Sequence, residues 1–256
     1  MESRDTLLIE LSFLLLSLFC AGLVYAGLRK VLPHTSFPPR RQKRILFSYV
    51  AILLLWISIL AVLSLSGWLG NFDSIPPRMF IVLAVPLCTI LFITFSTGMN
   101  EILRCTPGHW LILIQTFRIP VEVLLWWMFI SNLLPLMMTF EGRNLDILSG
   151  LLALPAAYVM ARNSGLKKMT GIAYNIVGLL FLINIVVIAV LSLPTPFRVF
   201  TEGPSNAVMA TFPYVLLPGI LVPLAYSMHF FSLRKLLATK PSALPETNRS
   251  AQVHPV

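Results

Sequence analysis

Hydrophobic residues along this chain neither alternate nor recur every third or fourth position; they continue almost unbroken for about 20 residues at a time. Seven such runs are legible, at roughly 7–28, 45–67, 78–97, 109–134, 145–162, 170–192 and 207–232. Each is long enough to cross a hydrocarbon core of roughly 30 Å as a helix. Strands of a membrane barrel would alternate over about ten residues, and these Leu-rich runs do not. The pattern predicts an all-α fold, a polytopic bundle of seven transmembrane helices over residues 1–236. The polar, Pro-containing stretch 237–256 is expected to be a disordered tail. Residues 1–6, MESRDT, lack the basic start of a secretory signal, and no A-x-A site follows, so the first run is read as a span.

Prolines interrupt four of the runs, at Pro86, Pro120, Pro155, and Pro218 with Pro223. Each lacks a backbone donor and frees a carbonyl one turn earlier, so kinks are expected where neighbouring groups can satisfy that carbonyl. A faint internal similarity, IELSFLL near the first span and LDILSGLL in the fifth, is what chance produces among Leu-rich helices.

Composition supports the membrane reading: 57% of residues are hydrophobic, 11% are charged, and the net charge is +9. In a soluble protein such a charge would raise the question of nucleic acid, but its placement along the loops reads as topogenic, with a basic loop that binds anionic lipid or nucleic acid as the alternative. With the N-terminus outside, the inner segments hold Arg29, Lys30, Arg40, Arg41, Lys43, Arg44, Arg104, Arg162, Lys167, Lys168, Arg234, Lys235, Lys240 and Arg249. The outer segments hold only Arg4, Arg78, Arg143 and Arg198. This asymmetry predicts an N-out, C-in orientation with the lipid bilayer as the main partner and no nucleic acid. Cys20, Cys88 and Cys105 have no CxxC spacing and imply neither a zinc site nor a disulfide framework.

Against this background the stretch QTFRIPVEVLLWW is out of place, with Arg118, Pro120 and Glu122 inside the fourth run. On a regular helix Gln115, Arg118, Glu122, Trp126 and Phe129 fall within an arc of roughly 80°. A charge facing lipid at mid-membrane costs at least about 2.5–3.5 kcal/mol, so this stripe must face the bundle. Arg118 and Glu122, four residues apart, can reach each other. Two readings follow: a structural ion pair that fixes helix rotation, or a binding site in which Arg118 meets an anionic group, Glu122 a cation or proton, and Trp126 forms a flat wall.

A second polar cluster, TFEGRNLDILSG, opens the fifth run with Glu141, Arg143, Asn144 and Asp146. Asn144 is expected to cap the helix, with Asp146 in its first turn beside the helix dipole. Glu141 and Arg143 are expected to flank an outer vestibule. Asn175 and Asn184, nine residues apart in the sixth run, lie on opposite faces; Asn184 is the one nearer the depth of Glu122. The histidines His34, His109, His229 and His254 form no metal motif, with His229 placed near the inner end of the last run. HExxH, GxSxG and Walker A patterns are absent, and the last run carries no lysine for a retinal Schiff base. No cofactor is called for.

FRIPVE, followed about eighteen residues later by TFEGRNLDILSG, resembles a family of small bacterial multi-span membrane proteins with no assigned activity. That resemblance implies a bacterial cytoplasmic membrane and carries over no site residue. The expectation from the residues themselves is passage or recognition of a small polar or zwitterionic solute at Arg118, Glu122, Gln115, Trp126, Glu141, Arg143, Asn144, Asp146 and Asn184. A structural or partner-binding role is the alternative, and an intramembrane enzyme the least supported.

Overall fold

A computed structural model describes residues 2–162 and 165–238. Among the described residues there is no strand; nine α-helices follow one another, with short 3-10 or π turns in several of the connections. They are α1 (Glu2–Val31), α2 (Pro39–Leu65), α3 (Phe80–Phe95), α4 (Thr97–Cys105), α5 (Gly108–Leu113), α6 (Arg118–Ile130), α7 (Asp146–Ala161), α8 (Lys167–Leu191) and α9 (Val222–Ala238). Four helical stretches, Arg4–His34, Pro39–Leu65, Gly108–Ile130 and Lys167–Leu191, are long and apolar enough to cross a membrane. A fifth is added if α3 and α4 form one bent span, and α7 is a shorter apolar helix. The tail expected from residue 237 onward begins inside α9, which runs to Ala238; residues 239–256 lie outside the described ones.

Several of the predicted runs are not single helices, and the interruptions have identifiable causes. Ser96 adopts an extended conformation, and its hydroxyl accepts from the Met99 N–H at 3.2 Å, capping α4 and turning it 75° from α3. At its other end α4 is met by α9: Lys235 Nζ donates to the carbonyls of Leu103 and Arg104, satisfying the orphan acceptors of a helix C-terminus. The fourth run is α5 and α6 with a 3-10 turn, Ile114–Phe117, between them, ending three residues before Pro120. The last run opens with a 3-10 segment, Asn206–Ala210, and a π turn, Leu217–Leu221, before α9 begins.

That π turn shows how a proline is accommodated. Pro223 cannot donate to the Gly219 carbonyl, and Trp56 Nε1 of α2 donates to it instead, at 2.9 Å. The approach is close: a Cβ on Gly219 would lie 2.5 Å from Leu60 Cδ1. Otherwise α2 is peripheral, with only 6% of its apolar window buried. The centre of the bundle is made by α5 to α9, where α7 packs on α5, α6 and α8, and α9 on α3, α5 and α8.

Of the four apolar clusters that result among the described residues, two flank α6 and α7. The larger gathers Phe13 of α1, Leu125 and Met128 of α6, Leu182 and Ile185 of α8, and Leu221 of the π turn. The smaller uses the short side chains Ala153, Ala156 and Ala157 to bring α7 close to Ile112 and Tyr174. Arg118 occupies the start of α6, between the Ile112 and Val121 contributions to these two cores.

Candidate functional site

The stripe on the fourth run does face inward: Gln115, Arg118 and Glu122 are 0%, 1% and 1% exposed. Its expected pairing is corrected, however, because Arg118 pairs with Asp146 of α7 and not with Glu122. The Arg118 guanidinium meets the Asp146 carboxylate as a fork, Nε to Oδ2 at 2.7 Å and Nη2 to Oδ1 at 2.6 Å. A cation deprived of water prefers a two-point contact of this kind, since it brings both carboxylate oxygens against the charge. One turn of α6 separates Glu122 from Arg118 along the helix axis, whereas Asp146 approaches from α7.

The remaining Arg118 donors tie in two further helices. Nη1 donates to Ser149 Oγ at 2.8 Å, approaches the Gly178 carbonyl of α8 at 3.4 Å, and lies 3.1 Å from Nε2 of His229 on α9. A guanidinium has no acceptor, so Nε2 must present its lone pair and the ring proton must be on Nδ1. That Nδ1–H donates to Asn175 Oδ1 at 2.9 Å, and Asn175 Nδ2 donates to Ser232 Oγ and to the Gly171 carbonyl. Gly178 makes room for this: a Cβ there would lie 2.5 Å from His229 Cε1 and 2.9 Å from Ser149 Oγ.

On its other side the network continues to Glu122. Asn144 Oδ1 accepts from the Asp146 N–H at 3.0 Å from one position ahead of the N-cap residue of α7, which is Leu145 and not Asn144, while Asn144 Nδ2 lies 2.7 Å from both Glu122 carboxylate oxygens and donates also to the Met138 carbonyl. The buried path therefore runs Glu122, Asn144, Asp146, Arg118, His229, Asn175, Ser232. It contains two carboxyl side chains and one arginine, and the arginine is committed to Asp146. Glu122 is left with a neutral amide as its hydrogen-bond partner. A cavity of about 90 Å³ opens beside it, with Arg118, Glu122 and Asp146 on a wall otherwise formed by groups such as Phe117, Leu125 and Ile185. By the space a water needs, this admits a few water-sized groups.

Residues 76–237, well over half of the chain, match the family model described as a domain of unknown function, DUF8737. The chain belongs to the DUF8737 family. No curated protein and no solved structure matches it. The matched DUF8737 region runs from ahead of α3 into α9 and contains every side chain of the polar path, whereas α1 and α2 lie outside it.

The other sequence-predicted residues are placed away from the cavity lining. Gln115, buried, donates to the Ala225 carbonyl at 2.9 Å. Trp126 does not wall the cavity; its Nε1 donates to Glu141 Oε1 at 3.0 Å and its ring stacks on Phe140. Asn184 donates to the Arg143 carbonyl, and the Arg143 guanidinium lies 6.0 Å over the Phe200 ring. Of the two α8 asparagines it is Asn175, not Asn184, that joins the polar path.

His229, Ser149 and Ser232 were not singled out from the sequence. The signal for His229 was its ionisable ring inside an apolar run, weakened by ending that run at 232. Because α9 continues to Ala238, His229 lies near the middle of its helix and is 0% exposed. Among the described residues no group of three His, Cys, Asp or Glu side chains could hold a metal ion.

Proposed function

We propose that this chain is a seven-span, N-out and C-in protein of a bacterial cytoplasmic membrane that recognises and passes a small cationic solute or a proton, with Glu122 as the binding carboxylate. The bent α3–α4 pair, α7, and the Asn206-to-α9 segment supply the three spans beyond the four long apolar stretches. The charge count at the cavity carries the functional reading. Two carboxyl groups face one guanidinium, Arg118 is forked onto Asp146, and Glu122 faces the small cavity with only Asn144 to compensate it. A buried carboxylate without a counter-charge is costly, and a cation or proton arriving in the cavity removes that cost. Arg118 and Asp146 then act as a brace rather than as ligands. The size of the cavity limits the solute to a few heavy atoms, which narrows the zwitterionic class expected from the sequence.

A second reading is supported by the reach of Arg118: its bonds to α7, α8 and α9 are what a purely structural polar core would need. Reconstitution in vesicles separates the two. Flux of protons, followed with an entrapped pH dye, and of methylammonium is expected for the wild type and lost in Glu122→Gln, with the variant melting like the wild type. Equal flux of both probes in the two proteins, or none in either, supports the structural reading and sinks the first.

A further inference from the structure

A concavity much larger than the Glu122 cavity lies elsewhere, outside the polar path. A groove of about 890 Å³ runs between α1, α2, α3, α4 and α9, toward the upper end of the roughly 300–1,000 Å³ typical of small-molecule sites. Along α2 it extends from Arg40 to Trp56, roughly 24 Å at 1.5 Å per residue. That exceeds the depth of one leaflet of a core of roughly 30 Å.

The two ends of the groove differ in chemistry. Arg40, Arg41 and Arg44 line one end, and no acidic residue lines any part of it. All three arginines are exposed and, among the described residues, none is ion-paired; Arg41 only stacks over Phe37, with Cζ 4.0 Å from the ring centre. They also occupy the first turns of α2, where the helix dipole adds positive potential. The mouth therefore calls for an anion.

Below the arginines four of the polar side chains are turned onto the protein's own carbonyls. The Tyr49 hydroxyl donates to Ala21, Trp56 Nε1 to Gly219, Thr89 Oγ1 to Val85 and Ser227 Oγ to Leu224, all at 2.8–2.9 Å. With those donors used internally, the depth of the groove offers an occupant mainly apolar contact. A free anion would fill only the mouth, and a neutral hydrocarbon would ignore the arginines.

We propose that the groove holds one anionic phospholipid, with its phosphate at Arg40, Arg41 and Arg44 and its acyl chains along α2, α3 and α9. Basic pockets between membrane helices recognise lipid head groups in this way. The site is independent of the Glu122 cavity, and its lining is shared between the DUF8737 region and the α1–α2 pair outside it.

The test uses the full chain purified in neutral detergent, with lipid adducts counted by native mass spectrometry during titration with phosphatidylglycerol or phosphatidylcholine. One phosphatidylglycerol is expected to be retained, in preference to phosphatidylcholine. The Arg40→Gln/Arg41→Gln/Arg44→Gln variant should lose on the order of 10- to 100-fold in phosphatidylglycerol affinity, given the contribution of each basic side chain. Lys43, Arg29 and Lys30 remain to preserve orientation. Ser48→Trp, which keeps the arginines and places a ring in the groove, should lose retention of both lipids while still melting as a folded protein. Equal retention of the two lipids by the wild type, or unchanged affinity in the arginine variant, overturns the proposal. So does unchanged affinity in Ser48→Trp, which would reduce the effect to surface charge, or complete competition by inorganic phosphate, which would make the ligand a free anion.

Discussion

Replacing Arg118 by leucine tests whether its guanidinium is what holds the four central helices together. The substitution removes both arms of the fork to Asp146 and the donors that reach Ser149 and His229. It leaves Asp146, itself 5% exposed, as a buried carboxylate without its cation. Breaking a buried pair from one side costs about 3–5 kcal/mol, a large share of the 5–15 kcal/mol that separates folded from unfolded proteins. Asp146→Leu alone strands the cation and should cost a similar amount. The double variant removes both charges, and what remains is the unmet hydrogen bonding of Ser149 and His229, about 1–3 kcal/mol. A double-mutant cycle should therefore give a coupling of about 3 kcal/mol or more. Thermal unfolding in detergent, followed by tryptophan fluorescence, reads it as a fall of roughly 6–20 °C for each single variant and a smaller fall for the double. A coupling below about 0.5 kcal/mol, or an Arg118→Leu protein that melts like the wild type, would refute the reasoning.

Gly178→Ala should destabilise by about 1–3 kcal/mol, because its new Cβ meets the His229 ring at 2.5 Å. Combined with His229→Ala, which vacates that volume, it should cost less than the sum of the two, as melting of the four proteins would show. Trp56→Phe leaves the Gly219 carbonyl without the donor that replaced the missing Pro223 N–H and should cost about 1 kcal/mol. The penalty should shrink in a Pro223→Ala background, where a backbone donor returns; hydrogen exchange around residues 219–223 checks it.

What the sequence revealed and what it hid have separate physical causes. The helical class and the inward face of Arg118 and Glu122 were legible because lipid penalises an exposed charge, so burial could be inferred from composition alone. Asp146 in the first turn of α7 was legible because helix-start signals are local chemistry. The partner of Arg118 was not. Helical spacing nominates Glu122 at i+4, but the guanidinium found its fork 28 residues away, across a loop whose course no periodicity encodes. The regular phase used for the stripe also assumed one unbroken helix, while the 3-10 turn at Ile114–Phe117 gives Gln115 a partner on α9 instead. His229 was hidden by a boundary: with the last run ended six residues before α9 ends, a mid-helix imidazole looked like an interfacial one.

The convergence of four helices on one guanidinium has a consequence for biogenesis. When α6 first leaves the ribosome, the opposite charge within reach of Arg118 is Glu122, one turn away in the same helix, whereas in the folded bundle Arg118 is forked onto Asp146 of α7. Its carboxylate arrives with α7, 28 residues later, and its imidazole with α9, 111 residues later. The α6–α7 hairpin is thus the smallest piece that can carry the Arg118–Asp146 pair of the folded bundle into the bilayer. The buried network closes only when the final helix docks, so a chain truncated before α9 would reach the membrane with that arginine still waiting for its last contact.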